Sequence, residues 1–385
     1  MVRELIYLHD IKGDMNRLGY MKIISSFLYP NNNIGSFNLA ESLHTSCTTN
    51  GTPRWEAEME LAETQNGLSK TMMIPKGTAN SYVEFANILE IYTSIESASL
   101  LNGKLLAEIL DLDINADFLT IQNNPLILEP IEKFFFWHLF IQNDGAVLYI
   151  LMRYIIQKND NCTRKELMNH LMETPDGYEL ILTTELQNPN TSYDDQIKLQ
   201  EKLQHVPNFT QNRIDLENDG TWNVTEQYSL YRHFADPRIQ WLIDLGFLRK
   251  NGRTNLSATQ IAQDLLAIMD NYIQNETLNL FHELALLFFP RATNATNTEI
   301  INEIIVMYDR LTIPTGAITV VRQLLCLAVS FSLIKNNKLV TPEQVNDQIE
   351  NMLSRFQNFA YTAVDYDNNP IYLHMETNEI RNNLT

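Results

Sequence analysis

Residues 238 to 266 (RIQWLIDLGFLRKNGRTNLSATQIAQDLL) constrain this chain more than any other stretch. An amphipathic helical pattern runs into Leu245-Gly246-Phe247-Leu248, where the glycine stops the helix and a short apolar strand follows. Asn251-Gly252 favours a tight hairpin turn, and Arg249, Lys250 and Arg253 bracket it. Ser257-x-x-Gln260 then has the spacing of a capping box, which predicts a new helix from that point. Helix, strand, basic turn and capped helix in that order suit recognition better than chemistry.

At 385 residues the chain has room for two or three domains. Only 13 glycines and 13 prolines predict a mainly α protein, with long helices joined by short turns and short β-hairpins. The net charge of −19 opposes indiscriminate binding to nucleic acid, so any cationic surface has to be local. Cys47, Cys162 and Cys326 lie far apart and form no disulfide framework or metal knuckle, which predicts small buried hydrophobes in a reducing cytoplasm. The first fifteen residues carry no apolar signal-peptide core. The apolar run from Ile131 to Ile141 is broken by Glu132, Lys133 and His138, so a membrane location is not expected.

Three units are predicted: 1–125, 126–270 and 271–385. In the first, Ser81-x-x-Glu84 has capping-box spacing ahead of a helical pattern. The second opens on an apolar stretch from Leu126 to Ile156 that Asn143-Asp144-Gly145 divides into two helices. Phe134, Phe135, Phe136, Trp137 and Phe140 make the earlier one apolar nearly all round, which predicts a buried helix. Thr163-x-x-Glu166 starts another helix. The region from about 183 to 227 is polar and acidic and reads as a linker or insertion, with fair helical periodicity only from Tyr193 to Leu203. In the third unit an apolar segment meets a Lys/Asn turn and a helix beginning Thr341-Pro342. Tyr361 to His374 reads as a closing hairpin. The sequence of helix end, polar turn and capped start thus recurs at 241–266 and 327–353, and more loosely at 82–110.

Signatures of chemistry are missing from the sequence. The eight histidines are scattered, and His282-Glu283 has no second histidine four residues on. Glu132-Lys133 and Asp195-x-x-Lys198 lack the spacing of a metal-dependent nuclease. There is no phosphate-binding GxxxxGK[ST] loop, no GxGxxG and no GxSxG. Asp111, Asp113 and Asp117 alternate like a calcium loop but lack its glycine and terminal glutamate, and read as a solvated turn. No catalytic residue, metal or cofactor is predicted.

Recognition is better supported. Between Ser229 and Asn255 stand Arg232, Arg238, Arg249, Lys250 and Arg253 against Asp236 and Asp244. A second basic island holds Arg153, Lys158, Arg164 and Lys165, and packing of the units could join the two into one stripe facing phosphates. The stretch WLIDLGFLRKNGRTNLSATQIAQDLL resembles the helix and wing of the winged-helix domains in prokaryotic restriction and antiphage defence proteins, which carry several such modules on one helical chain. That resemblance implies two or three winged-helix modules and a scaffold subunit without chemistry. Such a subunit holds the double-stranded DNA backbone through Arg249, Lys250 and Arg253, and docks an ATPase or nuclease partner through acidic faces. A protein-only adaptor whose modules never meet DNA, and a diverged nuclease, are the alternatives.

Overall fold

The computed structural model describes Leu8 and residues 11–29, 35–50, 76–93, 98–111, 124–158, 162–189, 191–252, 254–274, 279–312, 319–364 and 370–384. As its composition requires, the fold is mainly helical with a few short strands.

In the first unit, α1 (Gly19–Leu28), α2 (Ser36–Asn50) and α3 (Lys76–Ile88) pack together. They lead into a hairpin of β1 (Tyr92–Thr93) and β2 (Ala98–Ser99), then α4 (Leu101–Ile109). Ser81 corrects the expected helix start: it lies inside α3 and donates to the Gly77 carbonyl at 3.2 Å. An S-x-x-E spacing caps a helix only where the backbone leaves helical angles, and here it does not.

α5 (Pro130–Asn143) and α6 (Gly145–Gln157) meet at Asp144 with a bend of 107°. Among the described residues no single helix is long and apolar enough to cross a membrane. α5 is buried as its aromatic run predicts, and it touches every unit. Phe134 packs on Phe281 and Phe331 at 5.1 Å each, Trp137 on Phe247 at 5.0 Å, and Phe140 on Trp241 at 4.9 Å. His138 sits among the same phenyl rings, and burial pushes its imidazole down to about 4.

The central unit continues with β3 (Cys162–Thr163) and α7 (Arg164–Glu173). Here the predicted box forms: Thr163 Oγ1 accepts from Glu166 N at 3.1 Å, and Glu166 accepts from Thr163 N at 2.7 Å. Of the two forms expected for the acidic stretch, linker or insertion, it takes the second, and its periodic part Tyr193 to Leu203 lies in a helix. α8 (Leu180–Leu186), α9 (Tyr193–His205), α10 (Phe209–Asn218) and α11 (Glu226–Phe234) form a helical insertion that buries Leu199, Val206, Phe209 and Trp222. Its few apolar residues are spaced widely enough to look like loop, yet all four reach the same core.

α12 (Asp236–Asp244) follows, then a hairpin of β4 (Leu248–Asn251) and β5 (Asn255–Ala258) and helix α13 (Gln260–Gln274). Gly246, at φ +82°, ends α12: its own N–H bonds to Ile243 and the next to Leu242, both at 2.9 Å. Gly252, at φ +77°, takes the left-handed conformation in the turn. Ser257 lies in β5, not at a helix start. Its hydroxyl accepts from Arg249 and Asn251, and α13 begins at Gln260 behind Thr259. β3 pairs antiparallel with β5, and β5 with β4, giving the order β3-β5-β4.

After α14 (Leu280–Phe288) and β6 (Thr293–Asn294), the last unit runs α15 (Asn297–Thr312), β7 (Val320–Val321), α16 (Arg322–Lys335), β8 (Lys338–Leu339), α17 (Pro342–Arg355), β9 (Ala360–Val364), β10 (Pro370–Met375) and α18 (Thr377–Leu384). The Thr341/Gln344 box and the first-position Pro342 start α17 as expected, and β9–β10 is the expected hairpin. Its sheet order is β7-β10-β9. In the last unit the lone strand β7 precedes two helices, and in the central unit β3 precedes α7 and, beyond the insertion α8–α11, α12; each lone strand pairs with the second strand of the hairpin that follows. The counterpart of β4–β5 is therefore β9–β10. The cassettes at 241–266 and 327–353 are not copies in register: one spans a third helix and its hairpin, the other a second helix and its turn. Capping signals are local and recur at any helix start, so they cannot fix which junction is which.

Candidate functional site

The nine cations singled out above all belong to the central unit, and the structure separates them; Arg153 and Lys158 are exposed on and just after α6. Arg238 is fully enclosed. Its Nε and Nη2 donate to the two oxygens of Asp144 at 2.7 and 2.8 Å, Nη2 also donates to the Leu8 carbonyl at 2.9 Å, and Phe234 lies over its guanidinium at 4.3 Å. It cannot reach a phosphate; it is a structural cation. Arg164 pairs with Asp236 and donates to the Asp236 carbonyl at 2.9 Å, while Lys165 pairs with Glu217 at 2.9 Å. Arg249 is exposed on β4 and donates from Nε to Ser257 at 2.9 Å. Lys250 is half-buried and has its own partner. Arg232 is exposed on α11, its side chain against Gly13. Arg253 lies outside the described residues.

The two basic islands do meet. β3 pairs with β5, and Arg164 N bonds to Thr254 O at 3.2 Å, so the start of α7 lies beside the hairpin. What the sequence missed is the pairing: Asp236, named above only as an opposing charge, takes Arg164, and Asp144, Glu217 and Glu173, the last paired with Arg213, were not noticed as partners. Asp144 looked like a turn residue and nothing more. Arg164, Lys165 and Arg238 of the stripe are therefore taken up from within.

Every residue from Pro237 to Asp244 is buried. The N-terminal segment covers α12 and the neighbouring Asp144 and α11 through a run of directed contacts. Leu8 N donates to Asp144 at 2.9 Å, Gly13 N to His233 Nδ1 at 2.6 Å, Leu18 N to Asp244 at 3.1 Å, and Arg17 pairs with Asp244 at 2.7 Å. Trp241 Nε1 donates to Met15 O at 2.8 Å. The Trp241 ring is stacked between Phe85 of α3 at 5.0 Å and Phe140 of α5 at 4.9 Å, both within 9° of parallel. α3 and α12 thus pack on each other through these rings. Lys133 is half-buried nearby; partial burial lowers its ammonium below the usual value, against the pull of Asp244, Glu129 and Glu132.

Comparison with protein-family models, with curated proteins and with solved structures finds no match. The chain's own geometry has to carry the functional reading.

The third helix of the last unit, α17, is open, but its charge is of the wrong sign for a phosphate. It exposes Glu343, Asp347 and Glu350 against Arg355. Among the described residues no group of three or more His, Cys, Asp or Glu is placed to hold a metal. The three cysteines are buried, and burial pushes the Cys162 and Cys326 thiols up to about 11, away from nucleophilic reactivity at neutral pH. Asp111 lies in a partly exposed turn, and it does more than face solvent. It takes the left-handed conformation at φ +52° and pairs with Lys335 and Arg310, tying the end of α4 to α15 and α16. Burial raises its carboxyl, but the two cations outweigh that and hold it below its ordinary value. Asp113 and Asp117 lie outside the described residues.

Proposed function

We propose that this chain is a non-catalytic interaction subunit, a protein-binding scaffold of winged-helix modules whose helices do not grip DNA. The helix–strand–helix–helix–hairpin order of the last unit, which the central unit shares once α8–α11 are set aside as an insertion, with the lone strand on the hairpin's second strand, supports the winged-helix reading. The burial of α12, with Arg238 taken up by Asp144, carries the rest: the helix best placed to enter a groove holds the molecule together instead. The setting implied by the resemblance is a cytoplasmic prokaryotic defence complex, in which the acidic surface meets an ATPase or nuclease.

Titrating duplex DNA over a salt series tests this. Affinity no tighter than about 10⁻⁵ M at about 50 mM salt, with a shallow salt slope, is expected. Nanomolar binding that weakens about a thousandfold by 200 mM would overturn it. The hairpin supports a second reading, contact with backbone phosphate, because Arg249 is exposed there. On that reading Arg249→Glu together with Arg253→Glu lowers the salt slope by about two.

A further inference from the structure

The two hairpins share a topology but not an edge. In the order β3-β5-β4 the edge strand β4 reads Leu248-Arg249-Lys250-Asn251, and its two cations are the usual device that stops a sheet edge from pairing with a stray strand. In the order β7-β10-β9 the edge strand β9 reads Ala360-Tyr361-Thr362-Ala363-Val364, with no charge and no proline. Among the described residues β10 is its one strand partner. The register places Tyr361 opposite His374 and Ala363 opposite Tyr372, so these four share one face. That face looks outward: Tyr361 is 52% and Tyr372 42% exposed, while Leu373 on the other face is fully buried. An uncharged β-prone edge with aromatic side chains beside it is a template for strand addition.

Charge selects the occupant. From Pro342 to the end of the chain stand seven acidic residues and two arginines, and the whole chain carries −19. A second copy would bring the same sign to the same edge, whereas a cationic strand would be drawn in. We infer that β9 is the docking edge for an extended lysine- or arginine-bearing segment of a partner protein, which pairs with it as a fourth strand and rests its side chains on Tyr361 and Tyr372. This deepens the interaction reading above and rests on it.

Fluorescence polarisation with a labelled peptide of alternating lysine and valine tests the inference. Saturable binding below about 1 mM is expected, weakened about tenfold or more when alternate peptide amides are N-methylated, because methylation removes backbone donors and leaves the charge intact. Tyr361→Lys with Val364→Lys, both at half-exposed sites, recreates the guarded edge of β4. It should weaken binding at least as much while leaving the circular dichroism melt unchanged. Equal binding of methylated and unmethylated peptide, an unaffected double variant, or no saturation by 1 mM overturns the proposal. So does concentration-dependent dimerisation of the chain alone that the double variant abolishes, since the occupant would then be a second copy. Failure here leaves the DNA titration unchanged, so the docking edge and the scaffold reading fall separately.

Discussion

Replacing Arg238 by alanine is expected to destabilise the fold by about 3–5 kcal/mol in urea unfolding. The guanidinium answers both oxygens of Asp144 and the Leu8 carbonyl in a site with no exposed surface, so its removal leaves a buried carboxylate without its counter-ion. Asp144→Ala alone strands the cation in the same way. The double variant should therefore lose clearly less than the sum of the two single losses, because neither charge is left unpaired. A loss below about 1 kcal/mol for Arg238→Ala would mean that the arginine is solvated and available at the surface.

Trp241→Ala carries the second large effect, about 3–5 kcal/mol. The indole fills the space between Phe85 and Phe140 and donates to Met15 O, so truncation opens a cavity at the junction of α3, α5, α12 and the N-terminal segment. A cycle with Phe85→Ala should show about 0.5–1.5 kcal/mol of coupling, the worth of one stacked pair beyond its buried area. Independent, additive losses would argue that α3 and α12 are not held against each other.

Much of the fold was legible in the sequence, and the gaps have a common cause. Thr163/Glu166 and Thr341/Gln344 were found because the chain reaches each of them in extended backbone. Ser81 and Ser257 share that spacing but lie in a helix and a strand, and side-chain spacing alone does not reveal backbone angles. The buried run Phe134–Phe140 was plain from its composition, since a helix apolar all round has no solvent face. The candidate site was legible only in sign. Arg164 and Arg238 were visible as cations, but their carboxylates come from 72 and 94 residues away, a separation no local pattern reports. The insertion was legible only in part, as an insertion with one helix from Tyr193, for a related reason. Phe209 and Trp222 reach the core across residues that look like loop.

The central claim is that α12 is structural and not a reading head, and amide hydrogen exchange over residues 236–244 tests it most directly. Protection close to the global unfolding free energy is expected, unchanged by saturating duplex DNA, because the helix is enclosed on every side. Rapid exchange through local opening, slowed when DNA is added, would contradict it and return Arg238 to the nucleic-acid interface.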